Sequence, residues 1–181
     1  MKIAIIAGRG NLPVQIATQN KEAFVLCIKD YSCPNSFQNK SEIVSLFDPI
    51  RWITVLKTNN ITHIVMAGKI ERPSNFDKIT NEKANELINK IRSVGDNSAL
   101  NYIQDFFNKN GFEILPINSI LKDCFMPKGF YQEKLFSQNF KDFVYKSSQF
   151  GVDLLNTISK FDVGQSVVVN NKLVYAIEGL E

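Results

Sequence analysis

The sequence lacks the features that mark membrane-spanning, secreted and zinc-binding proteins. Apolar runs such as Ile3 to Ala7 are far shorter than the roughly 20 residues that cross a bilayer, and no signal-peptide pattern opens the chain. The three cysteines form no C-x-x-C pair and there is one histidine, so we expect reduced thiols and no zinc site. These absences predict a cytoplasmic protein in which any bound metal is a hard, oxygen-liganded ion such as magnesium.

An excess of one charge is also missing. The 21 basic and 18 acidic residues leave a net charge of +3, spread along the chain, which does not indicate nucleic-acid binding. Hydrophobic residues make up 44% of the 181, enough for a globular core. The lone histidine, His63, stands in an apolar run, which favours a core or strand-end role over catalysis.

Strand-like and helix-like segments alternate over the first 116 residues. Predicted strands cover Lys2–Ala7, Ala23–Ile28, Thr62–Met66 and Phe112–Ile117. The first predicted helix follows the turn that ends at Pro13 and continues to about Asn20, and the second begins at Asp48-Pro49. A third covers residues 80–92, and a fourth begins at Gly95-Asp96 and ends at Asn110-Gly111. This alternation predicts an α/β fold, with a Rossmann-like, mainly parallel, three-layer N-terminal domain over residues 1–128.

The composition changes near Pro127-Lys128-Gly129, where we place a hinge. Beyond it, an apolar helical face is predicted, and strands Gln165–Val169 and Leu173–Ile177 joined through Asn170-Asn171 form a hairpin. The residues of that helical face are Phe136, Phe140, Phe143 and Val144. A helix plus a hairpin over residues 129–181 is an incomplete α+β domain, too small for a core of its own, so we expect exposed apolar faces or a partner.

Glycines and charged residues follow several predicted strands. Gly8-x-Gly10-x-x-Pro13 occupies the place of a dinucleotide fingerprint, where glycines admit a phosphate to a helix N-terminus. Proline in place of the third glycine argues against an ordinary NAD site, and a tight turn without a ligand explains the pattern equally well. Asp30, near the end of the second strand, is either a ribose-binding acid or a solvated loop residue.

Further candidates lie later in the chain. Arg72 follows the third strand after Gly68, and its forked guanidinium suits a phosphate as well as an ion pair with Glu71 or Asp77. Asp96 either caps a helix or faces the ligand crevice that is expected beyond the carboxyl ends of the strands. Asp162, Gln165 and Glu178 flank the hairpin, where they are either polar site residues or solvated loop residues.

The order of these motifs carries more information than any one of them. The chain contains Ala7-Gly8-Arg9-Gly10-Asn11-Leu12-Pro13, Met66-Ala67-Gly68-x-x-x-Arg72-Pro73, Gly95-Asp96-Asn97 and Asp162-Val163-Gly164-Gln165, followed by Ile177-Glu178-Gly179. With this set, essentially the whole chain resembles the LpxI-type UDP-2,3-diacylglucosamine pyrophosphatases of Gram-negative lipid A biosynthesis.

The resemblance implies a Rossmann-like domain and a C-terminal domain that bind the nucleotide lipid between them. It implies hydrolysis with a magnesium-type ion to UMP and 2,3-diacylglucosamine 1-phosphate (lipid X), in the cytoplasm with peripheral contact to the inner membrane. The ligand-binding residues carried over are Gly8, Gly10, Asn11, Leu12, Gly68, Arg72, Gly95, Asp96 and Gln165, and the catalytic candidates are Asp162 and Glu178.

One departure from the family leaves the activity open. The family continues into Gly-Thr-Asp, whose aspartate looks like the essential metal-associated carboxylate, and these 181 residues do not contain that tripeptide. We therefore expect a truncated member whose activity without the missing segment is left open, with a homodimer partner or a separate C-terminal chain as the candidate source of that segment. The alternatives are a non-catalytic module that binds UDP or a nucleotide sugar and, less favoured, an NAD-dependent oxidoreductase.

Overall fold

The computed structural model describes residues 1–71, 82–121, 129–130, 133–161 and 163–179. In the first part of the chain the elements are β1 (Ile3–Ala7), α1 (Leu12–Gln19), β2 (Phe24–Ile28), β3 (Ser41–Val44), α2 (Pro49–Thr58), β4 (His63–Ala67), α3 (Glu82–Arg92), α4 (Asp96–Lys109), β5 (Glu113–Ile114) and α5 (Ile117–Ile120). The later elements are α6 (Gln138–Ile158), β6 (Val167–Asn170) and β7 (Leu173–Ile177). The chain divides into two compact units, one of Met1–Arg92 with Asn101–Phe125 and one of Ser93–Leu100 with Met126–Glu181.

A five-stranded parallel sheet forms the centre of the first unit. Its strand order is β3-β2-β1-β4-β5, and every neighbouring pair is parallel. Ala7 at the end of β1 pairs with Cys27 on one side and with Ala67 on the other, so these strands finish at one edge. The Rossmann-like α/β prediction is confirmed.

Alternate residues of the central strands supply two separate cores, one on each face of the sheet. On one face, Ala4 and Ile6 of β1 belong to a cluster that includes Trp52 of α2 and Phe107 of α4. On the other face, Ile5 and Ala7 belong to a cluster that includes residues of α1 and also Leu121. Burial on both faces explains why β1 and β2 are apolar throughout, and it gives this unit its three layers.

The edges of the sheet differ from the prediction. No strand is predicted between Ile28 and Asp48, yet β3 covers Ser41–Val44, and Ile43 of this edge strand is exposed. The predicted strand Phe112–Ile117 is shortened to β5, because Ile117 already begins α5. Edge strands bury one side only, so their sequences carry a weak apolar signal.

Two predicted helices form as expected but pack differently in detail. Asp48 caps α2 by accepting the Arg51 backbone N–H at 3.0 Å, as the Asp-Pro pair predicts. The buried face of α2 also includes Trp52, whose indole N–H donates to the Ser45 carbonyl at 2.6 Å. In α4, helical spacing predicts one apolar stripe of Leu100, Ile103, Phe106 and Phe107. Phe107 is buried, but Leu100 is 43% exposed and does not join the stripe.

The second unit is built from α6 and an antiparallel hairpin of β6 and β7. Ser137 caps α6, and Asn171, at φ +57°, makes the hairpin turn that the two asparagines predict. The helix approaches the hairpin through small residues. The Ser147 hydroxyl accepts the Asn171 N–H at 3.0 Å, and a Cβ placed on Gly151 would lie 3.3 Å from methyl groups of two β6 valines.

The predicted apolar face of this helix is half-exposed, and the buried positions of α6 lie elsewhere. Phe136 precedes α6, and Phe140 and Phe143 are 45% and 39% exposed, whereas Ser147 and Gly151 are the buried positions of α6. The phenylalanines instead form a half-exposed cluster, with Phe136 and Phe140 stacked at 5.2 Å between ring centroids. Close contact with the hairpin requires small side chains, so the helix turns its small-residue stripe toward the strands.

Candidate functional site

The loops that follow β1 and β4 are joined by their backbones. Arg9 and Lys69 exchange two backbone hydrogen bonds, of 2.8 and 2.9 Å, and form an isolated antiparallel bridge. A Cβ on Gly8 would lie 2.7 Å from the Lys69 carbonyl oxygen, and one on Gly68 would lie 2.7 Å from the Gly8 carbonyl carbon. These two glycines are therefore required for the approach of the loops, whether or not a ligand binds.

The start of α1 leaves polar backbone groups accessible beside this bridge. Gly10 has φ +106°, a conformation that favours glycine, and a Cβ placed there would meet nothing within 4 Å. Asn11 is the N-cap residue, but its side chain makes no capping hydrogen bond. Leu12 is half-buried and packs against the core of the α1 face. The first-turn N–H groups lack partners within the helix and favour an anion.

An open crevice of about 420 Å³ lies beside Gly8 and Gly10, at the carboxyl ends of β1 and β2. We call it the β1–β2 crevice, and it is lined by Gly8, Gly10, Val14, Asp30, Tyr31, Ser32, Cys33, Ser36 and Phe37. Its volume lies within the usual range for small-molecule sites. In open α/β sheets, ligands bind beyond the carboxyl ends of the strands, which is where this crevice opens.

One wall of the crevice is held by Arg9, Tyr31 and Glu71. The Arg9 guanidinium contacts the Glu71 carboxylate at 3.1 Å and lies over the Tyr31 ring, 5.6 Å from its centroid. The Tyr31 hydroxyl donates to the Glu71 carbonyl at 3.0 Å. Glu71 thus pairs with Arg9, and the predicted partner Arg72 lies outside the described residues. Both charged side chains of the pair are more than half exposed, so the pair fixes geometry and adds little stability.

Two cysteines near the crevice differ in exposure. Cys27, within β2, is fully buried, and this burial raises the pKa of its thiol. Cys33 lines the crevice and is exposed. Ser32 donates its hydroxyl to the Ala7 carbonyl at 2.7 Å, which ties the loop after β2 to the end of β1. Neither the tyrosine nor this serine–cysteine pair was singled out by sequence reasoning, although their position directly after β2 was a usable signal.

Gly95, Asp96 and His63 lie at the starts of secondary-structure elements. Gly95 and Asp96 open α4, with the Gly95 carbonyl accepting the Ala99 N–H at 2.9 Å, and they belong to the second unit. His63 lies at the start of β4, where its ring nitrogens contact Glu113 at 3.2 Å and Thr62 at 2.8 Å. His63 therefore has the strand-end role that its apolar context favours, far along β4 from the Gly68 loop.

In the second unit, Glu178 closes the base of the hairpin. Its carboxylate accepts the Gln165 backbone N–H at 2.8 Å, and its own N–H donates to the Ser166 carbonyl at 3.0 Å. The hydrogen bond from Gln165, with further ones from Ser166, lowers the pKa of the Glu178 carboxyl. A Cβ on Gly164 would overlap the Glu178 carbonyl oxygen, so glycine is required there. The structure thus brings Gln165 and Glu178 together, and Asp162 lies outside the described residues.

The described part of the chain contains neither a metal-ligand cluster nor a helix able to cross a membrane. Within it, no group of three or more histidine, cysteine, aspartate or glutamate side chains is arranged to hold a metal ion. Glu178 belongs to no such group, so the described residues do not by themselves supply a ligand set for a magnesium ion. Over the same ranges, every helix is too short or too polar to cross a membrane.

Fold and crevice together define an α/β protein of the Rossmann-like class with an open crevice at the carboxyl edge of its sheet. Residues 2–124 match the LpxI N-terminal domain, and residues 132–181 match the LpxI C-terminal domain. The chain belongs to the LpxI family, as its motifs predict.

A curated relative gives the same family. The chain is similar to the UDP-2,3-diacylglucosamine pyrophosphatase LpxI of Caulobacter vibrioides, with 23% identity over 187 residues. The match covers 99% of this chain and 65% of the relative, so the chain spans about two thirds of the relative's length.

Proposed function

We propose that this chain acts in lipid A biosynthesis as a hydrolase of UDP-2,3-diacylglucosamine. The observation that carries this proposal is the match of both LpxI domains, in order, along the chain. The Caulobacter relative is named for a pyrophosphatase activity on this compound. In the reaction, water adds across the P–O–P bridge, and the products are UMP and 2,3-diacylglucosamine 1-phosphate.

The residues are proposed to act in two groups. The turn at Gly8, Gly10, Asn11 and Leu12, together with Arg72, binds the phosphates, because exposed N–H groups and a guanidinium stabilise negative charge. Gly68 holds that turn in place through its close contact with Gly8.

The second group belongs to the other unit. Gly95, Asp96 and Gln165 are proposed as ligand-binding residues, and Asp162 is the preferred catalytic candidate. Glu178, with a lowered pKa, stays ionised at neutral pH and is better suited to position Gln165 than to donate a proton.

A magnesium requirement and a cellular site are part of the same proposal. Magnesium would neutralise charge on the pyrophosphate, but the described residues supply no complete ligand set, so no step is assigned to it. A diacylated substrate resides in a bilayer, which favours a cytoplasmic protein in peripheral contact with the inner membrane.

The test is release of UMP from UDP-2,3-diacylglucosamine by the 181-residue chain, with magnesium and with excess chelator. We expect chelator-sensitive release, reduced at least tenfold by Arg72→Ala but not by Lys57→Ala, a surface change on α2. Release that persists in chelator overturns the metal requirement. No release in either condition overturns hydrolysis by this chain alone.

The second candidate is a binding module without catalysis. It is favoured by a well-formed β1–β2 crevice in a chain whose described residues hold no metal-binding cluster. It predicts that calorimetry detects UDP binding, weakened by Arg72→Ala, in the absence of UMP release. A chain that binds no UDP contradicts it.

A further inference from the structure

We propose that the β1–β2 crevice takes a single ribonucleoside and that the Asp30 carboxylate accepts hydrogen bonds from its ribose hydroxyls. This inference rests on the proposed function, which supplies a uridine nucleotide as ligand. It goes further by placing the nucleoside end of the ligand on the β2 side of β1 and by assigning recognition of the ribose to Asp30.

The crevice that the described residues line lies on one side of β1. In Rossmann-like sheets a dinucleotide lies across the crevice between the strands on either side of the point where the strand order reverses, here β1 and β4. In this chain the Arg9–Lys69 backbone bridge and the contact of Gly8 with Gly68 occupy that position. The open volume is on the β2 side, where one nucleoside half of such a ligand would lie.

Asp30 has the position and the freedom that a ribose acceptor needs. It follows the end of β2 by two residues and stands 20 positions after Gly10, the spacing of about 20 at which an acid meets the ribose in dinucleotide-binding folds. Its carboxylate is exposed, lines the crevice, and makes no hydrogen bond or ion pair with any other described residue. Two carboxylate oxygens match the two donors of a vicinal diol.

The hydroxyl groups of the crevice are neutral and therefore weaker acceptors for ribose hydroxyls than the Asp30 carboxylate. The Ser32 hydroxyl donates to Ala7 and the Tyr31 hydroxyl donates to Glu71, so both donors are already in use. Val14 and Phe37 add apolar surface suited to a flat base. Asp30 is the one carboxylate that lines this crevice among the described residues, so it is the strongest acceptor that they offer to ribose hydroxyls.

The test compares binding of UMP and of 2′,3′-dideoxyuridine 5′-monophosphate by calorimetry. The variants are Asp30→Asn and, as a control for the lost charge, Glu22→Gln, which alters an exposed acid outside the crevice. Asparagine tolerates the left-handed backbone of Asp30, at φ +71°, so this substitution adds no strain. Wild type and Glu22→Gln should bind UMP at least tenfold more tightly than the dideoxy compound, and Asp30→Asn should lose that preference.

Each outcome decides the inference. Equal affinity of the wild type for the two nucleotides, or a preference that survives in Asp30→Asn, overturns the role of Asp30 while UMP release from the lipid substrate still supports the proposed function. Absence of UMP binding to wild type also overturns it, and the release assay then decides the proposed function separately. The inference is supported if Asp30→Asn loses the preference for UMP over the dideoxy compound while the wild type and Glu22→Gln keep it.

Discussion

Three glycine-to-alanine substitutions separate two costs in folding free energy near the loop bridge: a side chain at positive φ, and the overlap of a Cβ with a neighbouring backbone. Gly10→Ala places a Cβ in open space but at φ +106°, which costs about 1–3 kcal/mol of folding free energy. Gly8→Ala has no positive φ but brings a Cβ to 2.7 Å from a backbone oxygen, an overlap that costs about 1–3 kcal/mol. Gly68→Ala incurs both costs and should lose about 2–6 kcal/mol, a large part of a typical domain stability of about 5–15 kcal/mol.

The single tryptophan makes this measurement specific to the first unit. Trp52 is the only tryptophan of the sequence, is buried in that unit, and stacks on Phe107 at 6.1 Å between ring centroids. Urea unfolding followed by its fluorescence therefore reports the free energy of unfolding of the sheet and its helices, undisturbed by the hairpin unit. The expected order of destabilisation is Gly68→Ala greatest, with Gly8→Ala and Gly10→Ala each smaller.

The reasoning is refuted by a different order. If Gly10→Ala destabilises as much as Gly68→Ala, backbone conformation alone accounts for both glycines and the close approach of the loops carries no energy. If Gly8→Ala is neutral, the backbone bridge yields easily, and the crevice between β1 and β4 is not closed in solution.

Three further predictions concern the second unit. Glu178→Gln should remove the acid sensitivity of the hairpin. Because the folded-state pKa of Glu178 is lowered, its stabilising effect is present above the ordinary value of 4.5 and is lost as pH falls through the folded-state pKa. Hydrogen exchange at the Gln165 amide, measured against pH, should show this loss in the wild type and not in the variant. Gly151→Leu should separate α6 from the hairpin, since even a Cβ at this position lies 3.3 Å from the β6 valines, and hydrogen exchange of the hairpin amides should rise. The control is Gly129→Ala, where a Cβ meets nothing within 4 Å although φ is +112°, and this variant should leave the hairpin amides protected. Limited proteolysis should cut first near residues 127–131 and leave a resistant N-terminal fragment, because the N-terminal unit has the buried cores and β7 is exposed along its length; a uniformly resistant chain contradicts this.

The fold could be predicted where local chemistry agreed with tertiary packing. The apolar runs of β1 and β2 and the Asp48-Pro49 helix start form as expected, because strands buried on both faces and capped helix starts have strong local signals. Strand β3 was missed because it is an edge strand with one fully buried residue, Val44. The packing of α6 was not predicted, because helical periodicity cannot show that a stripe of small residues, rather than the phenylalanines, faces the hairpin.

The candidate site was predicted in part. The glycines after β1 and β4 were expected at one edge of the sheet, and the structure joins their loops. The crevice wall was not predictable, because the contacts that fix it, such as the Tyr31 hydroxyl with the Glu71 carbonyl, link positions 40 residues apart. Nothing in the local sequence around Tyr31 distinguishes it from an ordinary loop tyrosine.

Alkylation of Cys33 tests the central claim, nucleotide binding in the β1–β2 crevice, most directly. In a Cys124→Ser background, Cys33 is the exposed thiol that lines the crevice, whereas Cys27 is buried and has a raised thiol pKa. We predict that saturating UDP slows modification of Cys33 by iodoacetamide at least tenfold and that inorganic sulfate does not. An unchanged alkylation rate in saturating UDP would contradict the account.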